Sequence, residues 1–356
     1  MGLYNLTLIL LYFSIVFLNP REMIKRKLDF KNEFIFLQVF VYQPTLISII
    51  IPIFNKFPYL ERCIRSLQNQ TFNNFEVVAI DDYSTDKSSQ FILEKMQTDS
   101  RIKLVQNTYK QGICNTRIHG VFSSRGKYIM SLDPDDIYYN NTLRISYKKI
   151  TELRADVIDM LMELRHKDNI NRNWIPCNKN YTKNEELIKD LQLFNFLLIP
   201  WNVCRKIVKG EIYKKAATLI LPFVENKYIT VGEDLIHCGA IFFFVKNFYC
   251  TKFVGYVYFF GLPNNSVSDS YQSKSMNQVQ KNYSEYLLRY LYEKRFELNK
   301  TNLNDFLKSP INSETYNNLT TIVKKPNNDK CIIKINGFKS VLVENYGYCF
   351  ISKEHR

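Results

Sequence analysis

From residue 45 onward the chain alternates short apolar runs with longer stretches in which apolar residues recur at helical spacing. "LISIII" (46–51) is a β-branched run closed by Pro52, and "FPYLERCIRSLQNQ" after it is apolar at Leu60, Cys63, Ile64 and Leu67, one face of a helix with Pro58 near its start. "FEVVAI" (75–80) repeats the strand signal, and beyond the acidic turn "DDYSTD" a helix runs through "KSSQFILEKMQ". "RIKLVQ" (101–106) predicts a third strand, "GICNTRIHGVFSS" a helix with apolar positions 113, 118, 121 and 122, and "KYIMSL" (127–132) a fourth strand. The order βαβαβαβ predicts an α/β fold with a mainly parallel central sheet flanked by helices.

In such sheets ligands bind outside the carboxyl ends of the strands. Pro52, Asp81, Asp82, Asp133, Asp135 and Asp136 all follow predicted strand ends, so they are expected on one rim. Asp and Pro are also ordinary turn and helix-start residues, which accounts for one acidic cluster after a strand. Two clusters on the same rim point further, because close carboxylates repel unless a cation sits between them, and Mg²⁺ and its relatives prefer oxygen ligands. "IPIFNKFPYL" has neither GxGxxG nor GxxxxGK[ST], which removes the usual dinucleotide and P-loop readings.

Composition narrows the picture without changing it. Hydrophobic residues make up 46% and aromatics 15%, which excludes a disordered or collagen-like chain. Lys and Arg number 48 against 34 acidic residues, a net charge of +14 that suits an anionic partner. The positives are dispersed, and no nucleic-acid recognition motif is present, so no nucleic-acid partner is expected. The eight cysteines form no CxxC pair and no zinc spacing with the four histidines, and read as mostly reduced core or surface residues.

The ends of the chain differ from its middle. Residues 1–20 hold the uncharged apolar run "LYNLTLILLYFSIVFL" (3–18), slightly short for a spanning helix, which leaves a membrane anchor, a signal segment and a buried helix as alternatives. Association with an endomembrane or its cytosolic face is the expectation that follows from an anchor, with a cytoplasmic protein as the alternative. Residues 21–44 read as a linker, 45–268 as the main domain, and 269–356 as a partly helical extension. Within that extension "KNYSEYLLRYLYEKRFELNK" (281–300) has the spacing of an amphipathic helix that packs on the domain, with a helix lying on a membrane as the alternative.

"ISIIIPIFNKFPYLERCIRSLQNQTFNNFEVVAIDDYSTD" and "GICNTRIHGVFSSRGKYIMSLDPDD" closely resemble the family 2 glycosyltransferases with the GT-A fold. The elements P-x-[FY]-N, S-L-x-x-Q-[ST], D-D-x-S-x-D, R-x-x-G and L-D-x-D-D occur in order and in register. A weaker resemblance continues through "PWNVCRK" (200–206), "GEDLIHCGAIFF" (232–243) and "GYVYFFGLPNNSVS" (255–268).

The resemblance implies roles for individual residues. Pro52 brings backbone close to the nucleotide, and Asp82, or its neighbour Asp81, accepts a hydrogen bond from the base. Arg117 lies near the base or diphosphate, although this chain has T-R-I where the family usually has A-R-N. Asp133 contacts the ribose or the metal, and Asp135 ligates Mn²⁺ or Mg²⁺ with Asp136 in support. Asp234, with Glu233 beside it, is the base that deprotonates the acceptor hydroxyl in an inverting transfer. Trp201 lines the acceptor cleft, with core packing as the alternative. The implied reaction moves a sugar from a nucleoside diphosphate donor, a UDP-sugar by resemblance, to a hydroxyl of a glycan or glycoconjugate. A catalytically silent sugar-nucleotide or glycan-binding protein on the same fold is the alternative, since fold does not fix function.

Overall fold

The structure, a computed structural model, describes residues 44–166, 173–175, 179–183, 186–187, 201–225 and 227–262, together with Ser284, Leu287, Leu288 and Leu291. The apolar segment 1–20, the linker up to residue 43 and most of the extension 269–356 lie outside the described residues. Among the described residues no helix is long and apolar enough to cross a membrane.

The βα alternation is present where the sequence places it. β1 (Ile47–Ile53), β2 (Phe75–Asp81), β3 (Ile102–Gln106) and β4 (Tyr128–Ser131) are separated by α1 (Phe57–Gln68), α2 (Ser88–Thr98) and α3 (Ile113–Ser123). β5 (Ile137–Tyr138), α4 (Thr142–Glu152), β6 (Val157–His166) and β7 (Asn173–Ile175) follow. A 3₁₀ turn (Val203–Arg205) then leads into β8 (Lys206–Lys209), α5 (Gly210–Val224), α6 (Glu233–Phe244) and β9 (Phe248–Phe260).

These strands form a nine-stranded sheet in the order β3-β2-β1-β4-β8-β6-β9-β5, with β7 on β6. The sheet is parallel over β3-β2-β1-β4, the half legible in the βα pattern. Beyond β4 it is mixed: β8 is antiparallel to β4 and β6, β9 is parallel to β6, and β5 is antiparallel to β9. The chain steps outward from β1 through β2 to β3 and returns to the other side of β1 as β4, a switch point of the kind where open sheets bind ligands.

β1 is buried on both faces, as its run of isoleucines requires. Ile50 joins the core beneath α3, α5 and α6, whereas Ile47, Ile49, Ile51 and Ile53 join the core beneath α1. Gly120 explains part of the R-x-x-G element: a Cβ there would lie 2.4 Å from Ile50 Cγ2 and 2.7 Å from Ile80 Cδ1, so α3 rests closer to the sheet than any larger residue permits. Its residues from Cys114 to Val121 are all buried. Of the tail, the four described positions are helical and buried, with the spacing of one helix face, and Leu288 packs where Gly239 of α6 leaves room.

Each half holds a buried polar cluster. Glu76 accepts from Ser48 Oγ (2.6 Å), Lys103 Nζ and the Arg125 N–H (2.7 Å). Burial alone would raise its pKa, but these partners outweigh burial and hold it below the usual range. In the mixed half, Asp159 takes a two-pronged contact from Arg205 (3.1 and 2.7 Å) and a third from Lys206 (2.9 Å), with all three side chains fully buried. Lys206 Nζ also donates to the Asn202 carbonyl (2.7 Å), which anchors the segment carrying Trp201.

Of the cysteines, Cys63, Cys114, Cys204 and Cys238 are buried free thiols, and Cys250 is disulfide-bonded.

Removing one member of a fully buried ion cluster leaves its partners uncompensated, so Asp159→Ala is expected to lower unfolding stability by about 3–5 kcal/mol. Urea denaturation checks this, and a loss under ~1 kcal/mol would mean that Arg205 and Lys206 find other partners.

Candidate functional site

A cavity of about 470 Å³ opens at the carboxyl ends of β1 and β4. It is lined by Pro52, Asp82, Asp133 and Asp135 from the parallel half, and by Trp201, Glu233 and Asp234 from the later segments. Seven of the ten residues singled out in the sequence therefore meet at one place. Asp81, Arg117 and Asp136 are the three outside its lining.

Asp81 and Asp82 diverge because successive residues at a strand end face opposite ways. The Asp81 carboxylate turns toward the start of α2, accepting from Ser89 Oγ (2.6 Å) and the Ser84 N–H (3.2 Å). Asp82 faces the cavity and gathers the loop before α3: Gln111 N–H (2.8 Å), Gly112 N–H (2.9 Å) and Asn107 Nδ2 (2.8 Å) all donate to it. Burial raises its pKa despite these donors. Gly112 has φ +84°, and a Cβ on it would lie 2.9 Å from the Ile229 carbonyl, so this turn demands glycine.

Arg117 is buried and faces two carboxylates. Its Nη2 is 3.1 Å from Asp133 Oδ1 and its Nη1 is 3.9 Å from Asp234 Oδ1. Burial opposes the charge, but Asp133 and Asp234 outweigh it and drive the arginine pKa upward. The guanidinium thus joins the acidic turn after β4 to the first turn of α6.

The three aspartates of "DPDD" separate in the same way. Asp133 is the most open, with its side chain 26% exposed, and pairs with Arg117. Asp135 Oδ2 is 2.6 Å from Lys56 Nζ, while the Asp135 carbonyl accepts from Arg62, whose guanidinium lies 3.6 Å from the centre of the Phe259 ring. Burial raises the Asp135 pKa, Lys56 opposes the rise and Asp133 adds to it. Asp136 is fully buried, and its oxygens accept from Tyr256 Oη and the Phe259 N–H (2.8 Å), which pins β9 to this turn.

On the other side of the cavity, Gly232 takes a left-handed φ of +79° and opens α6 with Glu233 and Asp234 in its first turn. The Val203 N–H donates to Asp234 Oδ1 (3.3 Å). Burial pushes the Asp234 pKa up to about 6, against the pull of Arg117. Burial and the neighbouring Asp234 carry Glu233 higher still, to about 8. Trp201 is 38% exposed, and its carbonyl accepts from Cys238 Sγ (2.8 Å), so it is a cavity wall rather than core.

Sequence reasoning missed the lining lysines. Lys56 directly follows the P-x-F-N element, and Lys110 lies 3.8 Å from the centre of the Phe54 ring and 5.1 Å from that of Tyr228. A lysine in a loop carries no signal of its own, and Tyr228 belongs to no motif.

Five carboxylates and two lysines line the cavity. Among the described residues no three His, Cys, Asp or Glu side chains are grouped closely enough to hold a metal by themselves. Asp133 and Asp135 nevertheless suit a hard cation that brings further oxygens with it, the way Mg²⁺ is commonly held by one or two carboxylates plus substrate phosphates.

Comparison with known proteins places this site in context. The model of the family described as "Glycosyl transferase family 2" matches residues 48–207. The glycosyltransferase GlyG of Streptococcus pneumoniae is 34% identical over 113 residues, 32% of this chain and 38% of the relative. The GalNAc(5)-diNAcBac-PP-undecaprenol beta-1,3-glucosyltransferase of Campylobacter jejuni is 30% identical over 189 residues, 51% of this chain and 60% of the relative. The chain therefore spans less than two thirds of the length of these relatives. Among solved structures, S. aureus TarS 1-349 in complex with UDP-GlcNAc is 18% identical with a TM-score of 0.49, over 78% of this chain and 79% of that one. Matched motif by motif and by its family model, the segment 48–207, from the first strand to the start of β8, belongs to glycosyltransferase family 2.

Proposed function

We propose that this chain transfers a sugar from a nucleoside diphosphate donor, a UDP-sugar, to a hydroxyl group of a glycan or glycoconjugate, on a GT-A domain spanning residues 45–268. The observation that carries this reading is that one cavity holds both carboxylate sets, Asp133 and Asp135 at the end of β4 and Glu233 and Asp234 at the start of α6. The family match of residues 48–207 and the glycosyltransferase names of its relatives support it.

The nucleotide lies along the parallel half, against Pro52 and Asp82. The loop before α3 holds the Asp82 carboxylate toward the cavity through Gln111, Gly112 and Asn107, and Asp82 is the acceptor for a donor of a neutral base. Arg117 is a positioning residue for Asp133 and Asp234, which modifies its expected place at the base or diphosphate. Asp133 and Asp135 would hold Mn²⁺ or Mg²⁺. When bound, the cation supplies positive charge where the departing diphosphate becomes more negative.

The acceptor enters beside Trp201. Asp234 takes the hydroxyl proton as that oxygen bonds to the anomeric carbon, and the electron pair of the breaking carbon–oxygen bond leaves with the nucleoside diphosphate. Attack opposite the leaving group inverts the anomeric centre. A relative named for a lipid-linked acceptor, together with the apolar run 3–18, favours work at a membrane surface.

Calorimetry with UDP is expected to show binding that is lost on adding EDTA, and Asp135→Ala should reproduce that loss. Equal binding with and without metal would remove the metal from the site.

Asp234→Asn is expected to lower the transfer rate by ~10²- to 10⁴-fold while UDP affinity stays near that of the unaltered protein. A product that retains the donor's anomeric configuration would overturn the inverting course.

A base must be unprotonated to act, and burial places Asp234 near pH 6, so kcat/KM is expected to fall as pH drops through about 6. An acid limb at the ordinary carboxylate value, about pH 4, would point to a more solvated base.

A further inference from the structure

Lys56 belongs to none of the recognised motifs, yet it touches the carboxylate at the centre of the donor site. Its backbone is fixed from both sides. The Lys56 N–H donates to Ser88 Oγ (3.0 Å), and the Phe57 N–H donates to Asp86 Oδ2 (3.0 Å). The preceding Asn55 has a left-handed φ of +51°, and its Oδ1 accepts from the Thr85 N–H (2.8 Å). The loop after β1 is thereby clamped to the start of α2, and the Lys56 side chain projects into the cavity.

There the ammonium lies 2.6 Å from Asp135 Oδ2, with the two side chains only 16% and 11% exposed. That oxygen is one a divalent cation would use. Two cations on one sheltered oxygen repel strongly, since little water is present to screen them. A bare metal ion would have to dislodge Lys56 in return for two carboxylates, whereas a metal arriving with a diphosphate brings its own anionic oxygens and offers the lysine new partners. A flexible stem with a compact charge and three donors suits such an exchange.

Resting on the reading of Asp135 as a metal ligand, we propose that Lys56 is a resident counter-ion of the donor site. It holds Asp135 while the site lacks nucleotide, keeps bare divalent cations off that carboxylate, and passes to the diphosphate when nucleotide and metal enter together. Order of binding then comes from a lysine that the family motifs do not specify.

Binding of Mn²⁺ to the full chain, followed by the electron paramagnetic resonance of the free ion with and without UDP, tests this in the unaltered protein, Lys56→Met and Lys56→Arg. Lys56→Met is expected to bind Mn²⁺ alone about tenfold more tightly, as if a site mostly occupied by the lysine had been released, and to bind Mn²⁺ with UDP about tenfold more weakly. Lys56→Arg keeps the charge and should stay close to the unaltered protein in Mn²⁺ alone. Equal affinity of the unaltered protein and Lys56→Met for Mn²⁺ alone, with both still binding Mn²⁺ and UDP, would overturn the role of Lys56 and leave the donor site standing. Failure of all three to bind Mn²⁺ even with UDP would instead bring down the donor-site reading, and the counter-ion with it.

Discussion

The acidic turn after β4 and the first turn of α6 bring Asp133 and Asp234 to one cavity, where like charges would drive the two elements apart unless a cation stood between them. Arg117 supplies that cation from a buried helix. Its position is set by the core rather than by the rim, because α3 approaches β1 and β2 as closely as Gly120 permits. A planar guanidinium can address two carboxylates at once, which a lysine at the same position could not do with fixed geometry. The spacing between the donor side and the acceptor side is thus tied to how one helix packs on the sheet.

A second constraint works from below. Asp159, Arg205 and Lys206 form a buried cluster that fixes the Asn202 carbonyl, and with it the segment that presents Trp201. On the opposite flank Asp136 joins the turn after β4 to β9 through Tyr256 and Phe259. The cavity wall is therefore assembled from polar contacts that face away from it, which leaves Asp133, Asp135, Glu233 and Asp234 turned toward the space they enclose.

The parallel half of the fold was legible because its strands are short β-branched runs and its helices show clear apolar periodicity, as in Leu60, Cys63, Ile64 and Leu67. The mixed half was not, since β8 has four residues and β9 mixes Lys252 with aromatics; such strands exist through pairing with distant partners. Asp82, Asp133 and Asp135 were legible from the strand-end rule. The divergence of Asp81 from Asp82 was not, because it depends on which way each side chain leaves the strand. Nor was the burial of Arg117 legible, since α3 is covered on both sides while its sequence reads as half polar.

The tail packs on α6, so the folded core reaches past the recognised domain. The family match stops at residue 207, short of Glu233 and Asp234, and even the broader resemblance stops at 268. Leu287, Leu288 and Leu291 nevertheless lie in the same core as Ile236 and Ile241 of α6. A fragment cut at 268 would strip an apolar face from the helix that bears Asp234 and present it to water, an invitation to self-association. The stretch that the family model matches is shorter than the stretch that shares this core, and the difference falls beside a candidate catalytic carboxylate.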